Sequence, residues 1–307
     1  MKTIAFEEHF TTKSHQDAIK STSNYLLEEL LDLGEARLKM MDEAGVDMQV
    51  LSLVQPGLGA LEASTGKALA IECNDMLAEV IRKNPTRYTG LACMAPQAPE
   101  EAAKELERSV RKLGLKGGTL NSHCGGEYLD DKKYWPIFEA AERLNAPIYL
   151  HPQFPSAQIA QPYMTYPMLA GPSCGFAAEV ALHVMRLIAS GLFDKYPKLT
   201  LVLGHLGEAL PYWFGRMDKG WRNRPTNVKR LPTEYIKDNF FITTSGMFWV
   251  PPLLCAYLGM GADRILFAVD HPYESSKDGV EFIKSVPICD NDKAKICHLN
   301  AERLLVL

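Results

Sequence analysis

The first residues able to do chemistry end an apolar run, Lys2-Thr3-Ile4-Ala5-Phe6-Glu7-Glu8-His9. Read as a β-strand, the run sends Glu7 and His9 to one face and Glu8 to the other. Strand rise puts the α-carbons of Glu7 and His9 about 7 Å apart, a span one metal ion bridges. Carboxylate and imidazole are both ordinary ligands of divalent transition metals. An acidic pair closing an apolar strand is costly to bury without a partner. The plainer reading has Glu7, Glu8 and His9 simply reaching water, and the rest of the chain decides between the two.

The elements that must position these residues follow in order. A polar stretch, Thr11 to Asn24, has the length of a functional loop, and Tyr25 to Ala44 reads as mostly helix. Gly34 interrupts that helix and Gly45 stops it. Val46 to Val54 is a second strand, increasingly apolar as a strand covered on both faces should be. Ala60 to Asn84 is helix, Tyr88 to Met94 the third strand, and Pro99 to Leu113 helix with i,i+4 charge pairs. Leu115 to Asn121 is the fourth strand, its glycines predicting close backbone approach.

Tyr134 to Leu144 is helix, and Pro147 to His151 the fifth strand. Gln153 to Ser173 is a loop of the length used for lids and binding loops. Phe176 to Ser190 is helix, Leu199 to His205 the sixth strand, and Glu208 to Trp221 helix. Arg222 to Pro232 reads as basic and irregular. Phe240 to Ser245 and Arg264 to Asp270 are the last two strands, separated by a short helix, Pro251 to Leu258. Helices near Asp278 to Ser285 and Asp292 to Leu305 finish the chain.

Eight strands alternating with helices, without a composition break, predict one α/β domain over residues 1–307, a (β/α)8 TIM barrel. In such barrels chemistry sits at the C-terminal strand ends. Here those ends carry Glu7 and His9, then Asn121, His151, His205, Ser245 and Asp270. Desolvated together, Glu7 and Asp270 repel unless a cation lies between them. The expected ligands are Glu7, His9, His151 and Asp270, a set that suits zinc or manganese equally. No lysine ends the fourth strand to become a bridging carbamate, so one metal is expected.

His205, within Gly204-His205-Leu206-Gly207-Glu208, is assigned to substrate contact or proton handling, with Glu208 orienting it. Asn121 is a second substrate contact. Arg216, about two turns along the following helix, could meet a substrate carboxylate as a bidentate fork, or form a surface salt bridge instead. His183 reads as structural, His123 and His271 as possible pocket walls, His15 and His298 as surface residues.

Composition narrows the class. The chain is 47% hydrophobic and 23% charged with a net charge of −4, which argues against a nucleic-acid partner. The start lacks a signal-peptide core and no run of 18 apolar residues occurs, so no membrane association and a cytoplasmic location are expected. Seven scattered cysteines without a Cys-x-x-Cys pair give no disulfide framework or zinc knuckle.

The Glu7-x-His9 strand, Leu150-His151-Pro152, Gly204-His205-Leu206-Gly207-Glu208 and Phe267-Ala268-Val269-Asp270 resemble the amidohydrolase superfamily. Within it the chain is similar to the branch of γ-resorcylate and 2,3-dihydroxybenzoate decarboxylases. The likeness runs almost end to end, including Ser190-Gly191-Leu192-Phe193-Asp194 and Thr243-Thr244-Ser245-Gly246. Many members open with His-x-His, and Glu7 in the first position favours the hydroxybenzoate branch.

The resemblance implies metal-dependent, non-oxidative decarboxylation of a small aromatic acid with an ortho hydroxyl, by a homo-oligomer such as a dimer or tetramer. It makes Asp270 the acid that protonates the ring carbon, with His205 and Glu208 polarising or positioning the phenol. Two other classes use the same barrel. A hydrolase or hydratase of a small organic acid or lactone would activate water on the metal. A non-catalytic barrel would bind an aromatic acid without turnover.

Overall fold

The computed structural model describes residues 1–20 and 26–307. The end of the polar stretch and the expected helix start at Tyr25 therefore lie outside the described residues. Nine strand segments form the wall: β1 (Ile4–Phe10), β2 (Met48–Leu53), β3 (Tyr88–Gly90), β4 (Ala92–Cys93), β5 (Gly118–Asn121), β6 (Ile148–His151), β7 (Leu201–Leu203), β8 (Phe240–Thr243) and β9 (Ile265–Leu266). All neighbouring pairs are parallel.

The expected third strand is split at Leu91 into β3 and β4. The Leu91 N–H still bonds the Leu51 carbonyl at 2.9 Å, and Ala92 bonds Gly117 at 2.8 Å, so the wall continues through the break. The last strand meets the first where Phe6 N–H donates to Phe267 O (2.9 Å), Asp270 N–H to Glu7 O (2.9 Å) and His9 N–H to His271 O (2.8 Å). The eight-stranded α/β barrel is closed. At the fourth strand the expected close approach occurs, because a Cβ on Gly117 would stand 2.3 Å from the Pro147 carbonyl.

Two apolar layers hold this wall. Ile4, Phe6, Val50, Tyr149, Val202, Phe241, Leu266 and Ala268 fill the barrel interior. A larger layer packs strands against helices, with Ala5, Phe10, Leu120, Leu150, Leu203 and Ile242 on the strand side. The alternation of strand side chains produces both layers. It is broken once: the pairing of β1 with β2 slips between Ala5 and Glu8, a β-bulge. Phe6 then packs in the interior layer, the adjacent Glu7 also faces inward among the strand ends, and Glu8 faces the helices.

Several expected boundaries move. Glu35–Ala44 is a separate helix after Leu27–Leu31, with Gly34 before it and left-handed Gly45 (φ 79°) ending it. The helix Pro232–Asn239 was not expected from the sequence, although Pro at its first position and Glu234 at its third are start signals. The helix expected from Glu208 begins at Leu210 instead, after a left-handed turn. The loop after β6 contains short turns of helix at Ala157–Ala160, Gln161–Tyr163 and Pro167–Ala170. By length and hydropathy Pro167–Ala189 is long and apolar enough to cross a membrane. Val180, Val184, Leu187 and Ile188 of that stretch pack in the core instead.

Candidate metal centre

Glu7, Glu8 and His9 are all fully buried, so none simply reaches water. Glu7 and His9 from β1, His151 from β6 and Asp270 after β9 converge, each offering one ligand atom, and these atoms lie within 4.8 Å of one another. Glu7 Oε1 is 3.7 Å from His151 Nε2. His9 Nε2 is 3.1 Å from Asp270 Oδ1. Among the described residues Glu7 Oε1, His9 Nε2 and Asp270 Oδ1 are buried without a hydrogen-bond partner. Such groups are rare in folded interiors, and three aimed at one point fit a bound cation.

The protonation states fit too. Burial, reinforced by His9, pushes His151 well below the usual histidine range, keeping the imidazole neutral as a metal ligand must be. Burial raises the Glu7 carboxyl, a penalty a divalent ion at Oε1 would reverse. The other oxygen of Glu7 is held by the chain itself: Thr243 Oγ1 donates to Oε2 at 2.9 Å, and the Ser245 hydroxyl donates to the same atom. Gly204 packs against this carboxylate, where a Cβ would stand 2.9 Å from Oε2. Ser52 Oγ lies 3.3 Å from His9 Nδ1, and Asn121 Nδ2 lies 3.2 Å from His151 Nδ1. Asn121 thus touches a candidate ligand and steadies its ring.

His205 stands at the side of this group, its Nε2 3.6 Å from both Glu7 Oε1 and Asp270 Oδ2. Its Nδ1 is 2.7 Å from Glu208 Oε1. His205, Leu206, Gly207, Glu208 and Ala209 all have positive φ, between 50° and 78°. This left-handed run folds Glu208 back onto the histidine. Non-glycine residues in that region cost about 1–2 kcal/mol each, and such strain collects at functional sites. Asp270 (φ 82°) shares the feature.

Burial disfavours a charged His205, but Glu208, Glu7 and Asp270 overcome it and hold its pKa well above the usual range. Burial likewise opposes charge on Asp270, yet His205 and His9 hold that carboxyl well below the ordinary range. Charge on His205 and charge on Asp270 therefore support each other.

The remaining expectations divide. Arg216 is exposed on the helix Leu210–Arg222 and makes no ion pair among the described residues. That helix buries Leu210, Pro211 and Phe214 and leaves Arg216 to solvent. His15 is fully buried rather than on the surface: Thr11 Oγ1 lies 2.8 Å from Nδ1 and the Gly57 carbonyl 3.1 Å from Nε2. His298 is half-buried against Glu302 at 3.2 Å. His183 is structural, its Nε2 accepting from the Leu129 N–H at 3.0 Å. His123 holds the Phe154 carbonyl at the root of the long loop (3.1 Å). Glu8, Gln49 and Arg37 form a buried network that the sequence did not mark.

A family model described as amidohydrolase matches residues 27–307. The chain is 39% identical to the γ-resorcylate decarboxylase of Polaromonas sp. strain JS666, over 99% of this chain and 98% of that one. It is 38% identical to the γ-resorcylate decarboxylase of a Rhizobium species, with the same coverage. Among solved structures, 2,6-dihydroxybenzoate decarboxylase complexed with 2,6-dihydroxybenzoate superposes with a TM-score of 0.94 at 37% identity, covering all of both chains. The Polaromonas dihydroxybenzoic acid decarboxylase with bound manganese and 2-nitroresorcinol gives 0.93 at 38% identity, over 100% of this chain and 97% of that one. The 5-carboxyvanillate decarboxylase of Sphingomonas paucimobilis gives 0.94 at 35%, over 100% and 99%. A likeness this complete, in sequence and in backbone, places the chain in the amidohydrolase family, to which it belongs.

Proposed function

We propose that the chain is a metal-dependent, non-oxidative decarboxylase of a hydroxybenzoate, a small aromatic acid with a hydroxyl ortho to the departing carboxylate. The observation that carries the reading is the buried convergence of Glu7, His9, His151 and Asp270 beside the His205–Glu208 pair. The end-to-end likeness to γ-resorcylate decarboxylases supports it. Glu7, His9, His151 and Asp270 are the metal ligands in this reading. Manganese is favoured over zinc because a close structural relative holds it. A divalent ion held by these four residues would supply Lewis acidity.

The chain's own residues handle the proton. Asp270 turns Oδ1 toward His9 and Oδ2 toward His205, so its two oxygens face different tasks. His205 hands its proton to Asp270 Oδ2, and Asp270 passes it to the ring carbon bearing the carboxylate. The carbon–carbon bond then breaks, its electrons restore the aromatic ring, and CO2 leaves. Glu208 holds His205 in the orientation and charge state this needs. Asn121 walls the site beside His151.

A homo-oligomer, dimer or tetramer, goes with this reading, supported by the exposed apolar side chains of Met164, Tyr166, Met168, Tyr212, Trp249 and Leu258. A cytoplasmic location goes with it too, supported by seven free cysteines.

The test is CO2 release from salicylate and the dihydroxybenzoates by protein of measured metal content. Turnover that requires manganese is expected. A fully metallated protein that releases no CO2 from any of them overturns the reading in favour of hydrolase or hydratase chemistry with metal-activated water. Sedimentation of the same preparation tests the assembly.

A further inference from the structure

Beyond Asp270 and His205 one wall of the site is bare backbone. Gly246 has φ 62°, and a Cβ built on it would stand 3.5 Å from His205 Cδ2, 3.8 Å from Glu274 Cγ and 3.9 Å from Asp270 Oδ2. Glu274 therefore shares this gap with the two residues assigned to proton handling. Its backbone N–H donates to the Asp270 carbonyl at 3.1 Å, which fixes where its side chain begins. The residue is exposed, and among the described residues no lysine or arginine lies within ion-pair distance of it. The charged groups that act on it are Asp270, His205 and Asp278, two of them acidic. Among the described residues, histidine is the cation in every ion pair of Glu7, Glu208 and Asp270.

We propose that Glu274 is a specificity-determining residue that admits aromatic monocarboxylates and rejects aromatic dicarboxylates. A substrate's first carboxylate is drawn to the ion held by Glu7, His9, His151 and Asp270. A second carboxylate on the same ring is held away from that ion and meets Glu274, which has no cation of its own. Repulsion between two unit charges across a partly solvated gap discriminates by about tenfold or more. The shared barrel does not itself set this preference, since the Sphingomonas neighbour is named for 5-carboxyvanillate, a dicarboxylate. The inference rests on the substrate class proposed above but is tested without turnover.

Calorimetric titration of the manganese-loaded protein compares benzoate with isophthalate and terephthalate, which lack the ortho hydroxyl and so are not decarboxylated. The wild type is expected to bind benzoate about tenfold more tightly than either dicarboxylate. In Glu274→Gln that ratio should shrink about fivefold or more, and added salt should shrink it in the wild type more than in the variant. A ratio unchanged by the substitution, or a wild type that takes dicarboxylates as tightly as benzoate, overturns the proposal. A ratio that falls in a protein inactive on every hydroxybenzoate would leave the charge filter standing and remove the decarboxylase reading. An unchanged ratio in a CO2-releasing enzyme would do the reverse.

Discussion

Glu7 and Glu8 are neighbours in one strand, both fully buried, yet they sit in opposite electrostatic worlds. Glu7 faces the barrel mouth with one oxygen unpartnered among histidines. Glu8 faces the helices, where Val269 N–H donates to one oxygen (2.9 Å) and Gln49 Nε2 to the other (3.0 Å). Gln49 accepts in turn from Arg37 Nε at 2.7 Å, and Arg37 also donates to the His9 carbonyl at 2.7 Å. One carboxylate keeps an oxygen that accepts no hydrogen bond beside histidines, and the other is built into the wall. Burial alone therefore does not mark a ligand; the unpartnered oxygen does.

Substitutions on the two faces should separate them. Glu7→Gln is expected to lose metal and reduce turnover by roughly a thousandfold or more, with the fold retained, as read by metal analysis beside circular dichroism. A variant that keeps both metal and activity would erase the contrast. Glu208→Gln should keep its metal but lose about a hundredfold in turnover. Because Glu208 helps raise His205, the same change should shift the alkaline limb of the pH–rate profile to lower pH. A limb that stays in place would take His205 out of the proton path.

Ser245→Ala removes one of two hydroxyls donating to Glu7 Oε2 and should weaken metal binding by about tenfold, measured by competition with a chelator.

Glu8→Gln should leave metal content unchanged and lower stability by about 2 kcal/mol, since a single amide oxygen cannot accept from both Val269 N–H and Gln49 Nε2. Burial raises the Glu8 carboxyl to about 8. A raised folded pKa favours the folded state at low pH, and that contribution fades as pH climbs from the unfolded value toward 8. The stability gap between wild type and Glu8→Gln should therefore be wider at pH 5.5 than at pH 8. Urea unfolding of metal-free protein at both values checks it, and a gap that widens with pH refutes it.

Much of the site was legible because most strands keep strict alternation. Tyr149 and His151 point inward together, as do Leu266, Ala268 and Asp270, so reading strand ends in order named four donors that the fold brings together. What was not legible depends on contacts distant in sequence. The bulge in β1 requires a partner strand to define it, and the left-handed run from His205 has only Gly204 and Gly207 as clues. His15 lies in a polar stretch yet is buried by the loop around Gly57, which no local pattern announces. Helical spacing put Arg216 about two turns along its helix, but which face a helix buries is decided by what packs against it. The helix Pro232–Asn239 did carry its own signal, with Glu234 Oε2 accepting from the Leu231 N–H at 2.7 Å.

The slip in β1 also limits how this centre can be moved between proteins. A strand in regular phase offers every second position to the barrel mouth, so a sequence cannot contribute Phe6 to the floor and Glu7 to the rim without one residue out of step. Grafting the four donors onto a regular strand of another eight-stranded scaffold would keep Glu7 and His9 on one face but turn the residue at Phe6 outward into the helix layer, leaving the floor beneath the donors unfilled. The graft must carry the extra residue with it, because only the bulge lets an apolar floor residue and an acidic rim residue stand next to each other on the inner face.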